Sequence, residues 1–339
     1  MGTPQKVTKT GAFWQAKTSM EIILMAKTAF LFPGQGSQEI GMGLDLFEQQ
    51  DPFFKSLIEY GSDLVKRDLK ELCLNGPDSE LRKASVLQPA LVSVCLGYHN
   101  KLTQSGITAD VVLGHSLGEI TSLAAANVIT VDQAVMIAAK RGQLMDKVAS
   151  SCDGGMLAVM FMPLTDVELL LTEINQPDRI VLANDNAPDQ VVLSGEIKFL
   201  DQFTDMITAR KLGKSKRVPV VGPWHSPFLF DVMLEFEKWV ESVPFKKPSI
   251  PLILNATANT EFHQSTIKHL SSWQLTSPVF WRESMDKLKE TGVDTLIEIG
   301  PGKVLSGLAR VNGFKKETRL VSIQNCQQIT EFTAQLERV

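Results

Sequence analysis

The chain is poor in cysteine, and its four cysteines show no metal-binding pattern. Cys73, Cys95, Cys152 and Cys326 lie far apart and form no C-x-x-C pair. That excludes a zinc ribbon and a disulfide framework and points to a reducing, cytoplasmic compartment. Long apolar runs are missing too. The longest, residues 156–164, falls far short of the roughly 20 residues a membrane-spanning helix needs. Positive charge is not in excess: 34 Lys and Arg stand against 38 Asp and Glu, a net charge of −4. A nucleic-acid partner held by general phosphate neutralisation is therefore disfavoured. There is no internal repeat and no low-complexity tract. With 44% hydrophobic and 21% charged residues in 339, the chain reads as globular, either two domains or one large domain with an insertion.

Residues 1–24 show little hydrophobic periodicity, and a second methionine, Met25, follows them. They are expected to be a leader outside the fold, since the apolar patch at 22–24 is too short for a secretory signal. From residue 28 onward, short apolar runs alternate with longer amphipathic segments, the pattern of α/β architecture. Strands are expected at 28–32, 110–113, 250–254 and 294–299. Helices are expected at 51–66, 87–104, 117–126, 131–148, 228–242, 280–291 and 302–310. The middle of the chain reads differently, with strands at 155–161, 179–184, 190–194 and 215–221 and helices at 164–174 and 196–210. That β-α-β-β-α-β order is ferredoxin-like. The expected organisation is a large α/β-hydrolase-like domain with a parallel-type sheet (25–152 and 222–325), an inserted small ferredoxin-like α+β domain (153–221) and a C-terminal tail (326–339). A cleft should lie between the two domains.

The strongest local signal is Gly114-His115-Ser116-Leu117-Gly118, a G-x-S-x-G sequence between an expected strand and an expected helix. That is the context of a nucleophile elbow, in which two glycines permit a tight turn and the serine is held at a helix N-terminus. Such a serine needs a base. His115 adjoins the nucleophile, but neighbouring side chains on a tight turn diverge. His99 falls in a helical run, and His263 and His269 fall in a polar segment. His225, in Gly222-Pro223-Trp224-His225-Ser226-Pro227, sits where the small domain returns to the large one and can face the cleft. The glycine-rich stretch 30–43 lacks both the GK[ST] ending of a P-loop and G-x-G-x-x-G spacing. It suits a loop that donates a backbone N–H to an oxyanion.

Together, Phe32-Pro33-Gly34-Gln35-Gly36-Ser37-Gln38, Gln88-Pro89-Ala90, Gly114-His115-Ser116-Leu117-Gly118-Glu119, Arg141-Gly142-Gln143-Leu144-Met145 and Gly300-Pro301-Gly302-Lys303-Val304-Leu305 resemble the malonyl-CoA:acyl carrier protein transacylases of fatty-acid synthesis. They also resemble the stand-alone acyltransferases of polyketide synthesis. The resemblance implies Ser116 as the acylated nucleophile, His225 as its base, and the N–H groups of Gln35 and Leu117 as the oxyanion hole. It implies that the main-chain carbonyl of Gln274 orients the histidine and that Arg141 binds the malonyl carboxylate. An arginine suits that task because its planar fork pairs with a carboxylate through two parallel hydrogen bonds. Gln35, His115, Trp224, Gln88 and Asn186 are the other implied substrate neighbours. One departure stands out: Pro223-Trp224 replaces the Ala-Phe that usually precedes the histidine in malonate-specific members.

The implied partners are malonyl-CoA and a phosphopantetheinylated acyl carrier protein, with no nucleic acid and no membrane, and the chain is expected to act as a monomer. No cofactor is implied beyond the coenzyme A thioester substrate. Lys211, Lys214, Lys216 and Arg217 form a basic cluster suited either to an acidic carrier protein or to a solvated strand edge. Two other functions stay open. A Ser-His-Asp hydrolase that clears carrier proteins could draw its acid from Asp185, Glu196, Asp201 or Asp205, although all four fall in the small domain. A non-catalytic scaffold would not need an intact nucleophile, base and oxyanion loop.

Overall fold

Residues 27–336 are described by the computed structural model; the expected leader over 1–24 lies outside the described residues. The strands in chain order are β1 (Thr28–Phe32), β2 (Val111–Gly114), β3 (Gly154–Met160), β4 (Ile180–Ala187), β5 (Gln190–Glu196), β6 (Lys214–Arg217), β7 (Leu252–Ile253), β8 (Thr260–Glu261), β9 (Thr295–Ile299) and β10 (Arg319–Ile323). They form two sheets, one of six strands in the order β10-β9-β1-β2-β7-β8 and one of four in the order β4-β5-β3-β6.

The larger sheet is parallel from β10 to β7, with β8 antiparallel at its edge. Its central strands are apolar on both faces, as a parallel sheet covered by helices on each side requires. Alternate side chains separate cleanly. Phe30, Phe32, Val112 and Ile297 enter one core with the helices Ala84–Gln104 and Val131–Ala149. Ala29, Leu31, Val111 and Leu113 enter another with Trp281, Met285, Leu305 and Leu308. β1 and β2 are paired through Phe32 and Gly114. The glycine-rich loop after β1 and the turn after β2 therefore leave the sheet side by side at its carboxyl edge. In open α/β sheets that edge is where ligand crevices form.

The four-stranded sheet is antiparallel throughout. The helices Leu164–Ile174 and Ile197–Arg210 cover one face through Val167, Leu170, Leu200 and Phe203. Its other face, with Met156, Ala183 and Val192, joins the core of the large unit. β4 is tied to the large unit by backbone bonds between Ala183, Asp185 and Val279 and by a bidentate pair in which Arg282 Nε and Nη2 donate to Oδ1 and Oδ2 of buried Asp185.

The structure departs from the sequence reading in several places. The strand expected over 215–221 ends at Arg217, because Pro219 cannot donate to a ladder. The strand expected over 250–254 shrinks to two residues, and β10 is a strand that the pattern did not single out. The C-terminal segment, read as a tail, includes the helix Cys326–Leu336, which buries Ile329 and Phe332. The Cys326 N–H donates to Asp45, and Tyr98 donates to the same carboxylate.

Candidate active site

Ser116 lies in the turn between β2 and the helix Gly118–Ala125, at φ 51, in the left-handed region. The glycines on either side are required sterically. A Cβ on Gly114 would come within 2.0 Å of the Gly118 backbone, and one on Gly118 within 1.9 Å of the Phe32 carbonyl oxygen. Any larger residue would push the turn away from β1. His225 also has positive φ, 57°, and is 4% exposed. Strain of this kind persists only where the surroundings over-determine it, and it gathers at functional sites.

The two side chains meet: the Ser116 hydroxyl lies 2.7 Å from His225 Nε2. Nδ1 of the same ring faces the carbonyl oxygens of Gln274, at 2.8 Å, and Ser277, at 3.1 Å. Both are acceptors, so Nδ1 carries the hydrogen and Nε2 offers its lone pair to the serine O–H. Burial and the neighbouring Arg141 charge hold the imidazole down to about 3, against the upward pull of the two carbonyls. His225 is therefore neutral at ordinary pH, as a base must be.

Among the described residues no carboxylate bonds the His225 ring, whose partners are Ser116, Gln274 and Ser277. Asp185 is committed to Arg282, Glu196 to Arg179 and Lys198, and Asp201 to Arg217. None of the four acids held open from the sequence, Asp205 included, meets the imidazole; its Nδ1 faces backbone carbonyls instead.

Arg141 is 1% exposed and reaches Ser116 from the helix Val131–Ala149. Its Nη2 donates to Ser116 Oγ at 3.2 Å and to Gln274 Oε1 at 3.1 Å, while Nη1 donates to Gln88 Oε1 at 3.0 Å. Its Nε–H is buried without a partner among the described residues. Burial lowers the guanidinium to about 10, offset by Glu119, so it remains a cation at neutral pH. Among the described residues its hydrogen-bond acceptors are neutral amides and a hydroxyl, so this buried cation can take an anion as a direct partner.

Gln35 and Leu117 lie together. A Cβ on Gly34 would fall 3.6 Å from the Leu117 nitrogen. Neither the Gln35 nor the Leu117 N–H donates to a protein acceptor among the described residues, so both are free for an oxyanion. The Gln35 side chain accepts from Gln88 Nε2 at 3.1 Å. His115 Nε2 meets Asn186 Oδ1 at 2.8 Å, and its ring lies against Trp281.

A cavity of about 190 Å³ gathers Gln35, His115, Ser116, Asn186 and His225. Met156, Val192, Val218 and Val220 give it an apolar wall from the small unit, and Trp224 closes the side next to the histidine. Gln88, Arg141 and Gln274 lie behind Ser116, buried and outside that lining. A larger cleft of about 940 Å³ beside the helix Pro52–Val65 holds none of these groups. The basic cluster lies on and beside β6, an edge strand. Arg217 is bonded to Asp201 and Lys214 lies over the Phe161 ring.

Three residues that sequence reasoning gave no role belong to the site: Asn255, Glu119 and Ser277. Glu119 stands within the G-x-S-x-G neighbourhood, and burial raises its carboxyl to about 7. Asn255 lies just past the short apolar strand β7, after Leu254, a position with no chemical signature of its own.

Residues 29–332 match the family described as "Acyl transferase domain". A malonyl CoA-acyl carrier protein transacylase of Bacillus subtilis is 36% identical over 301 residues, covering 88% of this chain and 94% of that protein. The crystal structure of a malonyl CoA-acyl carrier protein transacylase from Clostridium perfringens superposes with a TM-score of 0.85 at 29% identity, covering 92% of this chain and 98% of that one. A malonyl-transacylase solved in complex with its type II PKS acyl-carrier protein superposes with a TM-score of 0.85 at 28% identity, covering 91% and 100%.

Proposed function

The chain belongs to the acyl transferase domain family, and from that premise we propose that it transfers a malonyl group from malonyl-CoA to the phosphopantetheine thiol of an acyl carrier protein, through an ester on Ser116. The observation that carries this reading is the position of the Ser116 hydroxyl between His225 Nε2, at 2.7 Å, and the buried Arg141 guanidinium, at 3.2 Å. One contact activates the oxygen. The other supplies the charge that distinguishes a malonyl from an acetyl group.

His225 Nε2 takes the Ser116 proton as Oγ attacks the thioester carbonyl. The oxyanion that forms is held by the Gln35 and Leu117 N–H groups. Collapse expels the coenzyme A sulfur, which leaves with the proton from His225. The malonyl ester stays with its free carboxylate paired to Arg141, which exchanges the neutral oxygens of Gln88 and Gln274 for a charged partner. The carrier thiol then enters, gives its proton to His225, attacks the ester and reverses the sequence. Thioester exchange needs no metal or redox group. His115 and Asn186 support the cavity wall next to the acyl group, and Trp224 limits its size.

The large unit is read as α/β-hydrolase-like and the second sheet with its two helices as a ferredoxin-like unit. The β-α-β-β-α-β order and the strand order β4-β5-β3-β6 support the latter. The four cysteines are free thiols, which supports a reducing, cytoplasmic setting. The chain is read as acting as a monomer. The experiment is brief mixing with malonyl-CoA followed by intact-protein mass spectrometry. A long-lived malonyl adduct on Ser116 is expected. Rapid release of free malonate would instead mark a hydrolase, and no adduct would mark a scaffold.

A further inference from the structure

Asn255 lies two residues past the end of β7, is 1% exposed, and does not line the cavity. Its carboxamide bridges the turn that carries the nucleophile. Oδ1 accepts the Ser116 N–H at 2.6 Å, and Nδ2 donates to the Gly114 carbonyl at 2.7 Å. The Asn255 N–H in turn donates to Glu119 Oε2 at 2.6 Å. The Ser116 carbonyl is fixed separately, by the Glu119 N–H at 3.1 Å and Gln274 Nε2 at 3.0 Å.

Two consequences follow. The left-handed backbone of Ser116 is costly for a residue with a Cβ, and the carboxamide is the side-chain clamp that spans this turn from Gly114 to Ser116. The Ser116 N–H is also occupied, so it is withdrawn from the oxyanion. That leaves the Gln35 and Leu117 amides to do the work. Resting on the reading of Ser116 as the acylated nucleophile, we infer that Asn255 is a positioning residue for acyl transfer. Its carboxamide fixes the Ser116 backbone so that Oγ meets His225 Nε2, and Glu119 fixes Asn255.

The test compares Asn255→Ala and Asn255→Asp with the unmodified protein. Acylation by saturating malonyl-CoA is followed by rapid quench and mass spectrometry, and folding is checked by thermal melts. The malonyl-CoA Kd is measured separately in a Ser116→Ala background, where no ester forms. Asn255→Ala should slow acylation tenfold or more and leave the Kd within about twofold, because the clamp touches the nucleophile and not the ligand.

Asn255→Asp adds a signature that a merely structural role would not produce. A protonated carboxyl accepts and donates as the carboxamide does, whereas an ionised one only accepts. Acylation should therefore be near normal at low pH and fall as pH rises through the pKa of the introduced group. The groups facing it are Glu119 through the Asn255 N–H, Arg141 through Gln274, and His225 and His115 beside Ser116. All are present in the unmodified protein, so their titrations appear in both profiles. If Asn255→Ala does not fold, the Asn255→Asp profile decides. Unchanged acylation in Asn255→Ala, a loss carried wholly by Kd, or an Asn255→Asp profile that parallels the unmodified one would overturn the inference. An unmodified protein that takes no malonyl at all would instead overturn the functional reading.

Discussion

Replacing Arg141 by Ala should invert the acyl preference rather than merely lower the rate. The guanidinium is 1% exposed and already donates to Gln88, Gln274 and Ser116. A malonyl carboxylate therefore gains the difference between a charged and a neutral acceptor, not the whole of two new bonds. A hydrogen bond to a charged group contributes about 1.5–3 kcal/mol, so malonyl transfer should fall at least ten- to a hundredfold. The loss grows if the carboxylate stays buried without a partner. Arg141 also lowers the His225 pKa, so its removal alters the base for every substrate. That effect is shared by acetyl and malonyl and cancels in their ratio. The assay is the ratio of malonyl to acetyl acylation rates at Ser116, measured by competition and mass spectrometry. It should fall by one to two orders of magnitude in Arg141→Ala and recover in part in Arg141→Lys, which restores charge without the fork. An unchanged ratio would show that Arg141 does not read the carboxylate.

Other expectations follow from the same geometry. Because the His225 imidazole is held down to about 3, kcat/KM for acylation should keep its plateau as pH falls from 7 through 5. An ordinary histidine, with a pKa near 6.5, would by then be mostly protonated, and a limb at 6.5 would contradict the burial argument. An inflection near 7 that vanishes in Glu119→Gln belongs to the raised Glu119 carboxyl instead. The lowered His225 pKa also favours the folded state when the ring is neutral. That contribution is complete above about 6.5 and is lost as pH falls toward 3, which melts across this range will show. If Lys214 and Lys216 steer an acidic carrier protein, kcat/KM for the carrier should weaken as salt shortens the Debye length toward about 8–10 Å. Charge reversal at both should remove part of that salt response, and identical responses would take β6 out of the interface.

The sequence made the glycine-flanked turn at Ser116, the histidine that meets it and the alternation of strands with helices legible for physical reasons. Gly114 and Gly118 leave a mark because no other residue fits within 2.0 Å of facing backbone. β1 and β2 are apolar on both faces because helices cover each one. Less legible was what depends on distant chain segments. β10 is only half-buried along most of its length, so it lacked a clear apolar run. The strand expected past Arg217 stops where Pro219 breaks the ladder. Asn255 and Ser277 act through a side-chain amide and a main-chain carbonyl, which residue type and spacing cannot advertise. Trp224 was visible as a departure from the family pattern, and the structure gives it a place: the cavity wall beside His225.

Transfer rather than hydrolysis is tested most directly by isolating the malonylated protein, free of coenzyme A, and dividing it between buffer alone and buffer with phosphopantetheinylated acyl carrier protein. The malonyl mass should persist on Ser116 in buffer and move promptly and stoichiometrically to the carrier when it is present. Loss of the adduct to free malonate at the same rate in both samples would contradict it.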